Sequence, residues 1–354
     1  MVVTYIYCNQ PADQVRIQIR CRNMVDAINR TGLHRANLLD MDSFIHNTPH
    51  AVKACGESDL LVIYRYLHGP ILTALQYWKA RDKKVVIDFD LAVNLLTENK
   101  PHYSFWYEGT PMPKVNTDAS AKIDPPPIEQ FKWGLALADA ATVPSVRLVD
   151  DWSGYTSVYK VLDYINTYQY PILNEAHGDE VWIGLGNRVD FDSFEKSGLR
   201  TAMENVCRKR PHVRFMMPME NSPKVLNIKS SQIKIRSPRR FEEWVEMLLS
   251  LDIGLMPICG EYDMRLGSSD LLEFMISKIP WIASEEPIFH KLLQYGQWTQ
   301  NTPEDWEAAI LRTVDQLENH QKKAVQDPFL FALSQDLSAN IDKILRIYGA
   351  IIHQ

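Results

Sequence analysis

Short apolar runs alternate along the chain with longer stretches whose apolar positions return every three or four residues. The first kind reads as buried strand and the second as amphipathic helix. In the first half this pattern predicts strands over Val2–Tyr7, Ala36–Leu39, Leu60–Tyr64, Lys84–Asp88 and Ala141–Pro144. Between them, Val15, Ile19, Met24, Val25 and Ile28 share one face of a helix over Asp13–Arg30, closed by Gly32. Further helices are expected over Gly69–Arg81, Ile128–Ala138 and Val146–Trp152. Strands alternating with helices imply an α/β domain with a parallel, doubly wound sheet. The rhythm breaks over Thr97–Pro127, where aromatics, lysines and the run Asp124-Pro125-Pro126-Pro127 exclude a continuous helix. A long irregular insertion in a compact domain is usually either a functional loop or a disordered segment, and a functional loop is expected here.

The pattern restarts after Asn166. Strands are expected over Glu180–Gly184, Val213–Met217, Ile233–Ile235, Asp252–Pro257 and from Pro280 onward. Helices are expected over Phe191–Lys209, from Ser237 to Leu251, over Asp270–Lys278, from Thr302 to Lys323 and over Gln335–Ile352. Ser237-Pro238 and Thr302-Pro303 both read as an N-cap followed by proline at the first helical position. At 354 residues the chain exceeds one comfortable core. The expected division is residues 1–168, residues 169–334, and a C-terminal helix over 335–354. The boundary is expected near Asn166–Gly178, where Pro171, Asn174 and Gly178 break the pattern.

Composition narrows the class. The chain is 45% hydrophobic and 23% charged, ordinary for a globular protein, and no apolar run reaches the ~18 residues that span a bilayer. Its start, MVVTYIYCNQ, reads as a strand and not as a leader. A net charge of −6 gives no global attraction to nucleic acid or anionic membranes. The five cysteines (Cys8, Cys21, Cys55, Cys207, Cys259) are widely spaced without a Cys-x-x-Cys pair. They are expected as reduced thiols of a cytoplasmic protein, with no zinc site.

The candidate chemistry concentrates in Glu261–Ser284: a polar loop, a short helix and a buried strand, following a strand that ends at Pro257. In open α/β sheets ligands sit beyond the carboxyl ends of the strands. Gly267, Ser268 and Ser269 place flexible backbone and two hydroxyls at a helix start, where free N–H groups favour a diphosphate. Arg265 offers it a bidentate fork, and Glu273 can accept hydroxyl hydrogen bonds from a ribose. Each residue also has a plain reading: Asp270 with Glu273 fits a capping box, and Arg265 fits a solvated loop charge. Gly186-Asn187-Arg188 follows the strand that opens the second half. That is either a tight strand-to-helix turn or a phosphate contact, and a lone Gly-x-Gly does not distinguish them. Asp88-Phe89-Asp90 ends a strand of the first half, and two carboxylates two residues apart share a strand face. A metal is geometrically possible there, as is an acceptor contact or a base at Asp90.

Met256-Pro257, Ser268-Ser269, Leu271-Leu272-Glu273-Phe274-Met275 and Pro280-Trp281-Ile282-Ala283-Ser284, in that order, resemble the nucleotide-sugar glycosyltransferases of group 1, family 4 of the GT-B fold. The first half resembles that family in outline, including Ala136–Trp152; Ser157–Leu162 with Asp163–Asn166 is similar to its interdomain connection, and the 335–354 helix to its tail, which implies packing back on the first domain. The resemblance implies two Rossmann-like doubly wound domains facing a cleft. It implies a hexosyl- or pentosyltransferase that moves a sugar from a UDP- or GDP-linked donor to an acceptor hydroxyl, with retention. The acceptor is a saccharide, a lipid-linked sugar or DNA, and the only cofactor-like partner is the nucleotide sugar. Glu273 matches the glutamate that holds the donor ribose; the family's second glutamate, eight residues earlier, is Arg265 here. By the same resemblance Gly186, Asn187 and Arg188 meet the donor phosphates, Ser237 and Phe241 lie at the nucleobase, and Arg265 and Asp90 join the catalytic set. The resemblance implies metal-independent chemistry with the diphosphate held by cations and helix dipoles. Two other readings remain open: a phage-type DNA-modifying glycosyltransferase using Arg208-Lys209-Arg210, Arg236, Arg239 and Arg240 at phosphates, and a non-catalytic nucleotide-sugar or glycan-binding module.

Overall fold

The computed structural model describes residues 1–112, 122–171, 178–218 and 226–354. The chain forms two compact units. The first comprises Met1–Tyr164, Arg265–Gly267 and Leu337–Gln354; the second comprises Ile165–Met264 and Ser268–Asp336. Each holds its own six-stranded sheet with every pairing parallel, so no sheet runs through both.

In the first unit the strands are β1 (Val2–Tyr7), β2 (Arg35–Asp40), β3 (Leu60–Tyr64), β4 (Lys84–Asp88), β5 (Ala140–Val143) and β6 (Val158–Lys160), in the order β2-β1-β3-β4-β5-β6. All five residues of β3 are buried, as a strand covered by helices on both faces must be. The helical run 14–30 contains a π-helical segment, Gln18–Arg22, and packs beside the Leu337–Ile352 helix. Tyr5 and Tyr348 join hydroxyls at 2.8 Å in the core that β1, this run and the last helix share.

Two expectations change here. Ser157–Leu162 is not only a connection, because Val158–Lys160 completes the sheet as its edge strand. The stretch expected to be irregular contains a helix over Tyr103–Glu108, whose Phe105 and Trp106 are buried against Tyr66. Residues 113–121 of that stretch, and Asn174 of the expected boundary, lie outside the described residues.

The second unit has β7 (Val181–Leu185), β8 (Val213–Met217), β9 (Ile233–Ile235), β10 (Ile253–Met256), β11 (Trp281–Ser284) and β12 (Gln297–Thr299), in the order β12-β11-β10-β7-β8-β9. The strand order reverses between β7 and β10, and this is the point where such sheets open a crevice for a ligand. The helix expected over Phe191–Lys209 is two, Phe191–Lys196 and Leu199–Lys209. Gly198 between them has φ 81, and a Cβ there would lie 2.7 Å from Pro303, so the break needs glycine. Thr302 caps its helix as expected, accepting from the Asp305 amide at 3.1 Å, but that helix ends at Asp315 and another follows over Leu317–Ala324. Ser237 is not a cap: the helix begins at Phe241 with Arg240 at the N-cap position. All five cysteines are free. Among the described residues no helix is long and apolar enough to cross a membrane.

What locks the helical run 14–30 onto the first sheet is charge. Arg20, with no exposed side-chain area, donates two hydrogen bonds to Asp88 at the end of β4, and its Nη1 reaches Asp163 and the Val161 carbonyl, both at 3.0 Å. Burial works to lower the Arg20 pKa, but Asp88 and Asp163 outweigh it and hold the guanidinium well above its ordinary value. A buried ion pair stripped of one partner leaves an uncompensated charge. Arg20→Met is therefore expected to cost about 3–5 kcal/mol in urea denaturation of the first unit. Adding Asp88→Asn should recover part of that loss; a single substitution with unchanged stability would contradict the assignment.

Candidate functional site

In the second unit the site residues are assembled by close backbone approach. β7 ends at Leu185, and Gly186 turns the chain, its N–H bonded to the Leu255 carbonyl of β10 at 3.0 Å. A Cβ on Gly186 would come within 2.9 Å of the Met256 sulfur and 3.1 Å of the Asp270 carboxylate. Glycine is thus what lets the Ser269–Ile276 helix bring its N-terminus against the carboxyl ends of β7 and β10. The Arg188 N–H donates to Asp270 Oδ1 at 3.2 Å, and its Nε lies 3.7 Å from Oδ2. Gly186, Asn187, Arg188, Ser268 and Ser269 therefore converge at the point where the strand order reverses. Ser268 occupies the N-cap position without a side-chain capping bond, and Asp270 lies inside the first turn, so the expected capping box is not formed.

Glu273 faces inward. It is 1% exposed and accepts from the Tyr170 hydroxyl at 2.7 Å and the Trp244 indole at 3.2 Å. Phe241 is buried as well, edge-on to Tyr170 with ring centroids 5.8 Å apart. A flat exposed platform for a base is therefore not what this ring presents. The Ser237 hydroxyl is buried and has no hydrogen-bond partner among the described residues.

The first unit carries the other candidates, on the carboxyl side of its sheet. Asp90, 2% exposed, accepts from Arg16 Nε and Arg65 Nη2, both at 2.6 Å, and from the Tyr64 hydroxyl at 3.0 Å. Arg16 also reaches Asp163 at 3.0 Å, and Arg65 pairs with Asp13, which accepts the Tyr66 hydroxyl at 2.6 Å. Asp88 meets Arg20 and the Thr142 hydroxyl. The two aspartates of the Asp-x-Asp triplet thus face guanidinium groups where a metal ion would need open oxygens. No cluster of metal-binding side chains occurs among the described residues. Arg265 donates from Nε and Nη2 to the two oxygens of Asp151, at 2.9 and 3.2 Å, while its carbonyl accepts from Ser145. Gly267 lies so close to the Asp163 carboxylate that any Cβ would collide with it. Arg265 is therefore engaged by a carboxylate.

Sequence reading missed Arg16, Arg65, Asp13, Asp163, Tyr170 and Trp244. Arg16 and Arg20 did leave a signal: two arginines four apart within a run whose Val15, Ile17, Ile19 and Cys21 are buried. It also missed His68, 3% exposed beside Phe105, whose Nε2 lacks a hydrogen-bond partner among the described residues. Burial pulls its pKa down to about 4. The arginines offered for DNA phosphates are partly spent, since Arg210 pairs with Asp315 and Arg240 with Glu243.

No family model matches the chain, and no curated protein matches it. Solved structures do. Over 100% of this chain and 99% of the other, it is similar to sucrose-phosphate synthase from Thermosynechococcus elongatus, with a TM-score of 0.64 at 12% identity. It is similar to Anabaena HepE in complex with UDP and glucose (TM-score 0.60, 10% identity, 99% of each chain). It is similar, too, to UDP-GlcNAc 2-epimerase from Neisseria meningitidis bound to UDP-GlcNAc (TM-score 0.53, 10% identity, 100% of each chain). What this chain shares with them is the fold, two Rossmann-like units of the GT-B type.

Two outcomes test the local geometry. Glu273→Ala leaves the Tyr170 and Trp244 donors buried and unpaired, so unfolding free energy should fall by about 2–5 kcal/mol; unchanged stability would show that the carboxylate is not their partner. For His68, a folded pKa of about 4 against 6.5 unfolded means that the unfolded state binds the extra proton between those values. Stability should therefore fall as pH drops, by about 2 kcal/mol between pH 7 and 5 from this residue. His68→Gln should flatten the urea stability profile by that amount.

Proposed function

We propose that the protein is a glycosyltransferase that takes its sugar from a nucleoside-diphosphate donor held by the second unit. The observation that carries this reading is the convergence of the Gly186 turn, Arg188 and the N-terminus of the Ser269–Ile276 helix where the strand order reverses between β7 and β10. Backbone N–H groups, the helix dipole and a guanidinium at such a point suit a diphosphate. The GT-B fold, shared with HepE in complex with UDP and glucose, supports the reading. Glu273 braces this site from behind through Trp244 and Tyr170. Retention of configuration, and the acceptor's place on the first unit, rest on the family resemblance.

A second reading follows from the similarity to a UDP-GlcNAc 2-epimerase: the same site would change the sugar while it stays on the nucleotide. An epimerase needs no acceptor. A transferase releases free nucleoside diphosphate in proportion to a glycosylated product.

Thermal shift against a panel of nucleotides and nucleotide sugars tests the donor site. A diphosphate at 100 times its dissociation constant should add about 2.7 kcal/mol of stability. Arg188→Ala should weaken it by about one to two decades, the loss of a charge-assisted hydrogen bond. Failure of every member of the panel to stabilise the protein would remove the donor assignment. Turnover should persist within a few-fold in saturating chelator, because Asp88 and Asp90 already meet guanidinium groups. Loss of turnover restored by magnesium or manganese would reopen a metal role.

A further inference from the structure

Asp270 stands at the second position of the Ser269–Ile276 helix, 2% exposed, where the helix dipole concentrates positive potential. Its Oδ1 accepts the Arg188 amide at 3.2 Å. Its Oδ2 is buried and has no hydrogen-bond partner among the described residues, and Arg188 Nε is 3.7 Å away. That separation is too long for a hydrogen bond but short enough for strong attraction between charges. The carboxylate thus leans on the cation and on the helix end without completing a bond to the former. These are the two groups that the donor reading assigns to a diphosphate, and Gly186 brings the carboxylate against the turn that carries them.

We propose that Asp270 is a tethered anion that competes with the nucleoside diphosphate for Arg188 and for the N-terminus of this helix. The inference rests on the donor-site reading above. The carboxylate supplies negative charge to the helix end and to Arg188. It also sets the affinity for the diphosphate, which must share Arg188 with it and bear the repulsion of a like charge. The effect falls on the phosphates and not on the base or ribose. An anion built into the site keeps a product diphosphate from being held too tightly, and so favours its release.

Isothermal titration of the full chain with UDP and GDP, and with uridine and guanosine, tests this. Removing the charge in Asp270→Asn should tighten diphosphate binding by about one to two decades, the scale of a like charge about 6–12 Å away at an effective dielectric near 20. Nucleoside binding should be unchanged, and the melting temperature of the unliganded variant should fall. Asp270→Ser, which suits the first turn of a helix, should behave alike and serves if the first variant does not fold. Diphosphate binding to the wild type that is unchanged or weaker in both variants would overturn the proposal while leaving the donor site in place. Absence of diphosphate binding in the wild type and in both variants would remove the donor site itself, and the proposal with it.

Discussion

The buried network of Arg16, Arg20 and Arg65 with Asp13, Asp88, Asp90 and Asp163 is the constraint on which the first unit depends. Three guanidiniums and four carboxylates out of water would cost far more than the unit's stability if any stood alone, so they fold together or not at all. The network ties the helical run after β1 to the ends of β3 and β4 and to the segment after β6. A sheet whose strands meet only their neighbours becomes a single body at its carboxyl edge. Arg65 adopts φ 65 at this edge, a left-handed conformation in a bulky residue that its contacts to Asp13, Asp90 and Tyr64 hold in place.

The second unit reaches its carboxyl edge by other means. Its central residues are small or apolar, and two buried polar contacts set the geometry. Glu273 draws Trp244 and Tyr170 together, which fixes the Phe241–Leu249 helix against the Ser269–Ile276 helix. Asp270 ties that helix to the turn after β7.

Much of this was legible in the chain itself. Apolar runs such as Leu60–Tyr64 and periodic stretches such as Ile128–Ala138 report strand and helix because burial and period are local properties. Their alternation implied two parallel sheets, and Thr302-Pro303 announced its helix through the chemistry of a cap. Gly186-Asn187-Arg188 was recognisable as the turn after a strand and Ser268-Ser269 as a helix start, because both signals are local. The helix break at Gly198 was missed because a single glycine in a periodic run signals a break only when something such as Pro303 crowds it.

Which charges meet was decided by the tertiary structure alone. Arg16 finds Asp90 74 residues and Asp163 147 residues along the chain, and Glu273 finds Tyr170 at a separation of 103. An aspartate at the end of a strand looks the same in sequence whether it faces water, a metal or an arginine. For Asp88 and Asp90 only packing chose the arginine, and for Arg265 only packing chose Asp151. The local pattern specifies the elements, because period and propensity act within a few residues. The pairing of buried charge is specified by desolvation, which acts only once distant segments have been brought together.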